Sequence, residues 1–266
     1  MKVFVTGRGD RLRYHEIYKG ESPVLFIHGL GCSCSSDYPA VVMSSAYPRL
    51  KTILVDLMGA GFSDKPTDID YSGSGLVEIL TEFVNSWGDL NFSIFAHSAG
   101  ALVALELAER MADRVDSLIL CEPGINKYGA EFLSGIVSMT MDEFVATGFK
   151  KTVGQLSDDA NDSWLGSFSI YSPYAIYQWA QSVVIEDRLA WAPKFKLLKT
   201  KQKGVIISDK TAGGDFSFFT QLECAVECVS NSTHMIMHDN PDGLAMAISN
   251  LLFNPVSELH DENFKG

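Results

Sequence analysis

The stretch Phe92 to Arg110, FSIFAHSAGALVALELAER, decides the fold. A run of β-formers, Phe92 to Phe95, meets Ala96-His97-Ser98-Ala99-Gly100, and a dense apolar segment from Ala101 to Ala108 follows at once. The pattern predicts strand, sharp turn and helix, with a serine at the turn. Small residues two before and two after Ser98 let strand and helix approach closely, which leaves the hydroxyl exposed at the carboxyl edge of a sheet. The N–H of Ala99 then sits at a helix N-terminus, aimed toward developing negative charge. The motif reads G-x-S-x-G with Ala96 in the first glycine position, which requires a negative φ at that residue.

Upstream, Pro23 to Ile27 is a continuous apolar run of the kind buried on both faces of a sheet, and it ends in His28-Gly29-Leu30-Gly31. Glycines just past a strand let backbone N–H groups turn toward a ligand, so Leu30 N–H is the natural second donor of an oxyanion hole beside Ala99. His28 reads as a residue that orients this loop. Thr52 to Val55 forms another buried strand ending at Asp56, whose expected part is to accept hydrogen bonds from the glycine-rich turn through Ser63. Val3 to Thr6 and Leu12 to Tyr18 suggest an antiparallel edge hairpin. Helices are expected from Asp37 to Ala46 and over Val77 to Trp87.

Downstream, Val115 to Cys121 is a strand that ends at Glu122-Pro123-Gly124. About 80 residues separate Pro123 from the next clear strand, Val205 to Ser208, whereas a simple crossover needs about a dozen. The surplus predicts an inserted helical cap over 125–195, with helical patterns at Met141 to Phe149 and Ala175 to Ile185. Three of the four tryptophans (Trp164, Trp179, Trp191) fall within it. Most of its aromatics are expected to pack the cap and a minority to line an apolar pocket. A helix Phe216 to Cys224 capped by Asp215, and a last strand, Ala225 to Val229, follow. That strand delivers His234, and Asn240-Pro241-Asp242 opens a closing amphipathic helix to Leu252. The core is thus 1–124 with 196–253, and 254–266 is a polar tail.

Composition narrows the function. A net charge of −12 and a pI of about 4.9 exclude a polyanion partner, because phosphate binding needs clustered Lys and Arg. No apolar run reaches the roughly 18 residues of a membrane span, and the first ten residues lack a signal-peptide centre, so a cytoplasmic location is expected. Five cysteines, Cys32, Cys34, Cys121, Cys224 and Cys228, lack both a disulfide framework and the paired spacing of structural zinc; most read as buried thiols. His238, four residues past His234, has no evident third metal ligand. Neither metal nor cofactor is expected.

Alternating buried strands and helices imply an α/β class with a mostly parallel, doubly wound sheet, whose chemistry collects at the strands' carboxyl ends. With HGLG (28–31), DLMGAGFS (56–63), AHSAGA (96–101) and THMIMHDNPDGLAMAISNLL (233–252) in this order and spacing, the chain resembles the α/β-hydrolase fold superfamily in a capped form, from about residue 3 to 253. The resemblance implies Ser98 as nucleophile and His234 as general base. The pairing is also a chemical need, since a serine hydroxyl is a poor nucleophile until an imidazole takes its proton. The chain departs from the family at the acid, because Ala212 stands where many members carry Asp. Asp209, at the edge of the penultimate strand, is the first choice; Glu122, after the preceding strand, is second; Asp215 is third.

The expected activity is that of a serine hydrolase acting on a small-molecule ester, thioester or lactone with an apolar portion. Two other readings share the scaffold: a small-molecule receptor without turnover, and hydrolysis of a C–C bond in a diketone-like substrate. Serine rather than aspartate at the elbow argues against the dehalogenases and epoxide hydrolases of the superfamily, which need a carboxylate nucleophile.

Overall fold

A computed structural model of the chain describes residues 1–124, 127–158, 162–185, 191–213, 221–222 and 224–253. Eight strands form one sheet: β1 (Lys2–Val5), β2 (Arg11–Ile17), β3 (Val24–Ile27), β4 (Thr52–Asp56), β5 (Phe92–His97), β6 (Val115–Cys121), β7 (Gln202–Ser208) and β8 (Ala225–Val229). Their spatial order is β1-β2-β4-β3-β5-β6-β7-β8. The edge hairpin β1–β2 is antiparallel and joins β4 antiparallel, while every pair from β4 to β8 is parallel.

The continuous apolar runs explain why the central strands lie inside. Side chains alternate across a strand, so each run feeds two cores. Leu25 and Ile27 of β3 enter one cluster with the helices Gly73–Asn85 and Gly100–Arg110. Val24 and Phe26 enter another, on the opposite face, with Tyr38, Tyr47, Ile248 and Leu251. The sheet is therefore covered on both faces, as a doubly wound sheet must be.

Three helices differ from the sequence reading. The helix expected over 37–46 is two short pieces, Cys34–Asp37 and Pro39–Met43, because Pro39 lacks an N–H to continue the first. The helix expected at 141–149 starts with a turn capped reciprocally by Thr140 and Glu143, passes through a π-helical turn, Phe144–Gly148, and continues over Phe149–Asp158. The next expected segment starts two residues early, at Pro173, and ends at Ile185. Lys127–Val137, Asp162–Ser169 and Trp191–Leu197 complete the helices between β6 and β7. Asp215, most of the helix expected at 216–224, and the 254–266 tail lie outside the described residues. Among the described residues no helix is long and apolar enough to cross a membrane.

The order β4-β3-β5 fixes where a ligand can sit. From β3 the chain moves outward to β4, then returns to the other side of β3 as β5 and continues outward to β8. The loops leaving β3 and β5 consequently diverge to opposite faces and open a crevice between them. Leu30 lies on the first of these loops and Ser98 on the second.

Candidate active site

Ser98 follows directly on β5 and has φ 52°, in the left-handed region that non-glycine residues rarely occupy. Its conformation is held from both sides: Ser98 N–H donates to Cys121 C=O at 2.9 Å, and Ala101 N–H donates to Ser98 C=O at 2.9 Å. Ala96 is an ordinary member of β5 and is not among the positive-φ residues, so the missing first glycine costs nothing. Gly100 is needed for another reason. A Cβ there would lie 2.5 Å from His28 C=O, so only glycine lets the helix pass this close to the end of β3.

The loop after β8 brings His234 to the serine. Ser98 Oγ donates to His234 Nε2 at 2.9 Å, and the opposite ring nitrogen, Nδ1, donates to Glu122 Oε2 at 3.2 Å. Glu122 is 5% exposed and also accepts from Ser208 N–H at 2.6 Å and from the Thr211 hydroxyl at 2.8 Å. Burial alone would push its carboxyl up. His234, Ser208 N–H and the Thr211 hydroxyl outweigh that and hold it below the usual carboxylate range. Glu122, too, has positive φ, 47°. Two residues of one hydrogen-bonded line thus sit in sparsely populated backbone, a condition that persists only where the surroundings over-determine it.

Asp209, the first choice from sequence, is not at the imidazole. Its carboxylate accepts from Asn231 N–H at 2.8 Å and Ser232 N–H at 3.1 Å, and these bonds keep the acid below its ordinary range. It therefore pins the loop that carries His234. Asp239 pins the same loop by accepting from Thr233 N–H at 2.7 Å and the Thr233 hydroxyl at 2.6 Å. From the inside, His97 Nε2–H donates to His234 C=O at 2.8 Å. Sequence adjacency indicates that the His97 ring diverges from the Ser98 hydroxyl; that it holds the histidine loop is visible only in three dimensions.

The other loops are held similarly. His28 is fully buried, and its Nε2 accepts Leu57 N–H at 3.0 Å. Asp56 accepts from Ser35 N–H and Phe62 N–H, each at 2.9 Å, and so ties the turn after β4 to the loop after β3. His238 lies 3.5 Å from Asp37, and no cluster of three metal-ligating side chains occurs among the described residues. All five cysteines are free; Cys32, Cys34 and Cys121 are buried and Cys228 is exposed.

These residues meet at the floor of a cavity of about 830 Å³ lined by Ser98, His234, Leu30 and Ala99 together with the apolar side chains of Phe132, Leu133, Trp164 and Met235. Among the described residues the N–H groups of Leu30 and Ala99 enter none of the turn and loop hydrogen bonds, and both residues line the cavity. Trp164 Nε1–H donates to Leu30 C=O at 3.2 Å and so fixes this peptide from the helical side. Gly31, with φ 74°, passes under the same ring, where a Cβ would lie 2.7 Å from Trp164 Nε1. Most other aromatics of the helical segment are buried packing, including Phe168, Trp179 and Trp191.

The buried His97 makes the site sensitive to acid. Burial, reinforced by the neighbouring His234, pushes its pKa down from 6.5 to about 3. Between those values the unfolded chain binds a proton that the folded chain does not, so stability falls as pH falls. At pH 5 this amounts to about 2 kcal/mol. Glu122 acts in the same direction, but only below its unfolded value of 4.5. In urea unfolding, the loss of stability between pH 7 and pH 5 is expected to shrink by about 2 kcal/mol in His97→Gln. An unchanged difference would mean that His97 titrates normally.

Comparison with known proteins agrees with this architecture. A profile of the α/β hydrolase fold matches residues 22–167. A probable lysophospholipase of Arabidopsis thaliana, BODYGUARD 3, is 38% identical over 105 residues, which span 38% of this chain but 21% of that relative. N-formylmaleamate deformylase of Pseudomonas putida KT2440 is 23% identical over 282 aligned residues, 96% of this chain and 100% of the relative. A thermophilic esterase from Thermogutta terrifontis has a similar structure, with a TM-score of 0.74 at 14% identity, covering 95% of this chain and 98% of that one. Because the profile match extends over more than half the sequence and takes in both loops of the crevice, the chain belongs to the α/β-hydrolase fold family.

Proposed function

We propose that the protein is a serine hydrolase that cleaves a small carboxylic ester, thioester or lactone with an apolar portion through an acyl-enzyme. The observation that carries this is the unbroken line Ser98 Oγ, His234 and Glu122, at 2.9 and 3.2 Å, opening into a largely apolar cavity. Ser98 Oγ attacks the carbonyl carbon as its proton passes to His234 Nε2. The charge that develops on the carbonyl oxygen is met by the Leu30 and Ala99 N–H groups, each such donor contributing on the order of 3 kcal/mol to lowering the barrier. His234 then returns the proton to the departing alkoxide or thiolate. Water, deprotonated by the same imidazole, attacks the acyl carbon; the acid leaves and Ser98 regains its proton. Glu122 keeps the ring oriented and favours the imidazolium that forms in each half.

A fluorophosphonate probe tests this directly. One adduct per chain is expected by intact mass, absent in Ser98→Ala and at least about a thousandfold slower in His234→Ala. Folded wild-type protein that takes no adduct would instead favour a ligand-binding scaffold without turnover. The Pseudomonas relative is a deformylase by name, so a formyl amide belongs in the substrate panel beside the esters.

A further inference from the structure

Behind the wall of the active-site cavity lies a second one, of about 390 Å³, between the helices Lys127–Val137 and Phe149–Asp158. Phe132 is the residue common to the linings of both. Its ring is half-buried and packs 4.9 Å from Trp164 and 6.1 Å from Phe168, centroid to centroid. Phe132 is therefore the lining residue at which the two spaces adjoin.

Two glycines line the second space. Gly135, one turn beyond Phe132, lines it, and a Cβ there would meet no atom within 4 Å. Gly148 lines it too, at the end of the π-helical turn, a feature that inserts an extra residue into a helix and is frequent at functional sites. Ile136 and Met139 give it apolar wall, while Lys151 and Gln155 lie at its rim. Glu131 and Thr152 complete the lining, so a chain reaching past Phe132 would meet the apolar Ile136 and Met139 beside polar neighbours.

We propose that Phe132 sets the length of substrate the enzyme accepts, and that the cavity behind it is a subsite for the distal end of a longer chain. The inference builds on the proposed hydrolase reading for the nature of the substrate, but the partition is a matter of volume. Each methylene moved from water onto apolar wall gains roughly fourfold in affinity, so two or three additional buried methylenes suffice for a tenfold effect. The second cavity adds 390 Å³ beside the 830 Å³ of the first, and Phe132 is the lining residue they share.

The test uses p-nitrophenyl esters from acetate to dodecanoate, in two arms. In the first, kcat/KM is measured for wild type, Phe132→Leu and Phe132→Ala. The ratio of long-chain to short-chain kcat/KM is expected to rise at least tenfold in Phe132→Ala, through KM, with Phe132→Leu between; adding Gly135→Leu, which fills the second cavity, should reverse the gain. In the second arm the same esters are titrated calorimetrically into the same variants carrying Ser98→Ala, where binding is read without turnover. A ratio that stays constant in both arms, or a gain that survives Gly135→Leu, overturns the proposal. A chain-length shift in binding with no hydrolysis by the wild type would sustain the partition and refute the hydrolase reading.

Discussion

Replacing Ser98 with glycine is expected to lower kcat by roughly a millionfold, the scale on which removal of a nucleophilic serine acts. The same variant should be more stable than Ser98→Ala by about 1 kcal/mol. The two effects have one origin. At φ 52° a Cβ is crowded against its own backbone, and the bonds to Cys121 C=O and from Ala101 N–H help to hold the residue there. Left-handed backbone at a non-glycine residue costs about 1 to 3 kcal/mol, whereas the extra freedom of an unfolded glycine costs about 0.5 to 1. Alanine removes the hydroxyl but keeps the strain; glycine removes both. Urea unfolding of the three proteins, beside their residual esterase rates, reads the difference. If the alanine variant were as stable as the glycine one, the elbow would store no strain and the turn would be held by packing alone.

That strain also marks the limit of what the sequence discloses. Buried strands are legible because a run such as Val24 to Ile27 has no polar face to offer water, and the elbow is legible because small residues flank Ser98 at fixed spacing. The break at Pro39 is equally local and follows from a missing N–H. The acid is different. Glu122 and Asp209 each follow directly on one of two adjacent strands, β6 and β7, so spacing alone places them side by side. What separates them is their partners in space: Glu122, at φ 47°, reaches His234, while Asp209, at the start of the short helix Asp209–Ala212, accepts from the amides of Asn231 and Ser232. The Glu-Pro-Gly sequence at 122–124 signals a turn there, but not its direction. The bond from His97 to the His234 carbonyl joins residues 137 positions apart, and the meeting of two cavities at Phe132 depends on how two helices pack. No local pattern encodes either.

The acid assignment yields the second large effect. Glu122→Gln is expected to lower kcat by about ten-thousandfold with little change in KM, while Asp209→Asn costs less than about tenfold. An amide at 122 can still accept from His234 Nδ1, from Ser208 N–H or from Thr211, but it carries no charge to favour the imidazolium, and its NH2 can turn to the ring and select the other tautomer. Ground-state binding in the 830 Å³ cavity does not involve this side chain, which is absent from its lining, so the loss falls on kcat. Because the Glu122 carboxyl is held below its ordinary range, it stays ionised through neutral and mildly acidic solution, so the wild type keeps this charge beside the ring there. Asp209 acts at one remove, on the loop after β8, where an asparagine oxygen keeps one of the two backbone bonds and Asp239 and His97 still hold the segment. Its loss should therefore appear as a modest fall in both kcat and thermal stability. Kinetics of the two single variants and the double variant decide the matter: if Asp209→Asn were the more damaging, or if the double variant lost far more than the product of the two single losses, Asp209 would have to stand in for Glu122 at His234 during turnover, and the line of hydrogen bonds from Ser98 to Glu122 would describe a resting state only.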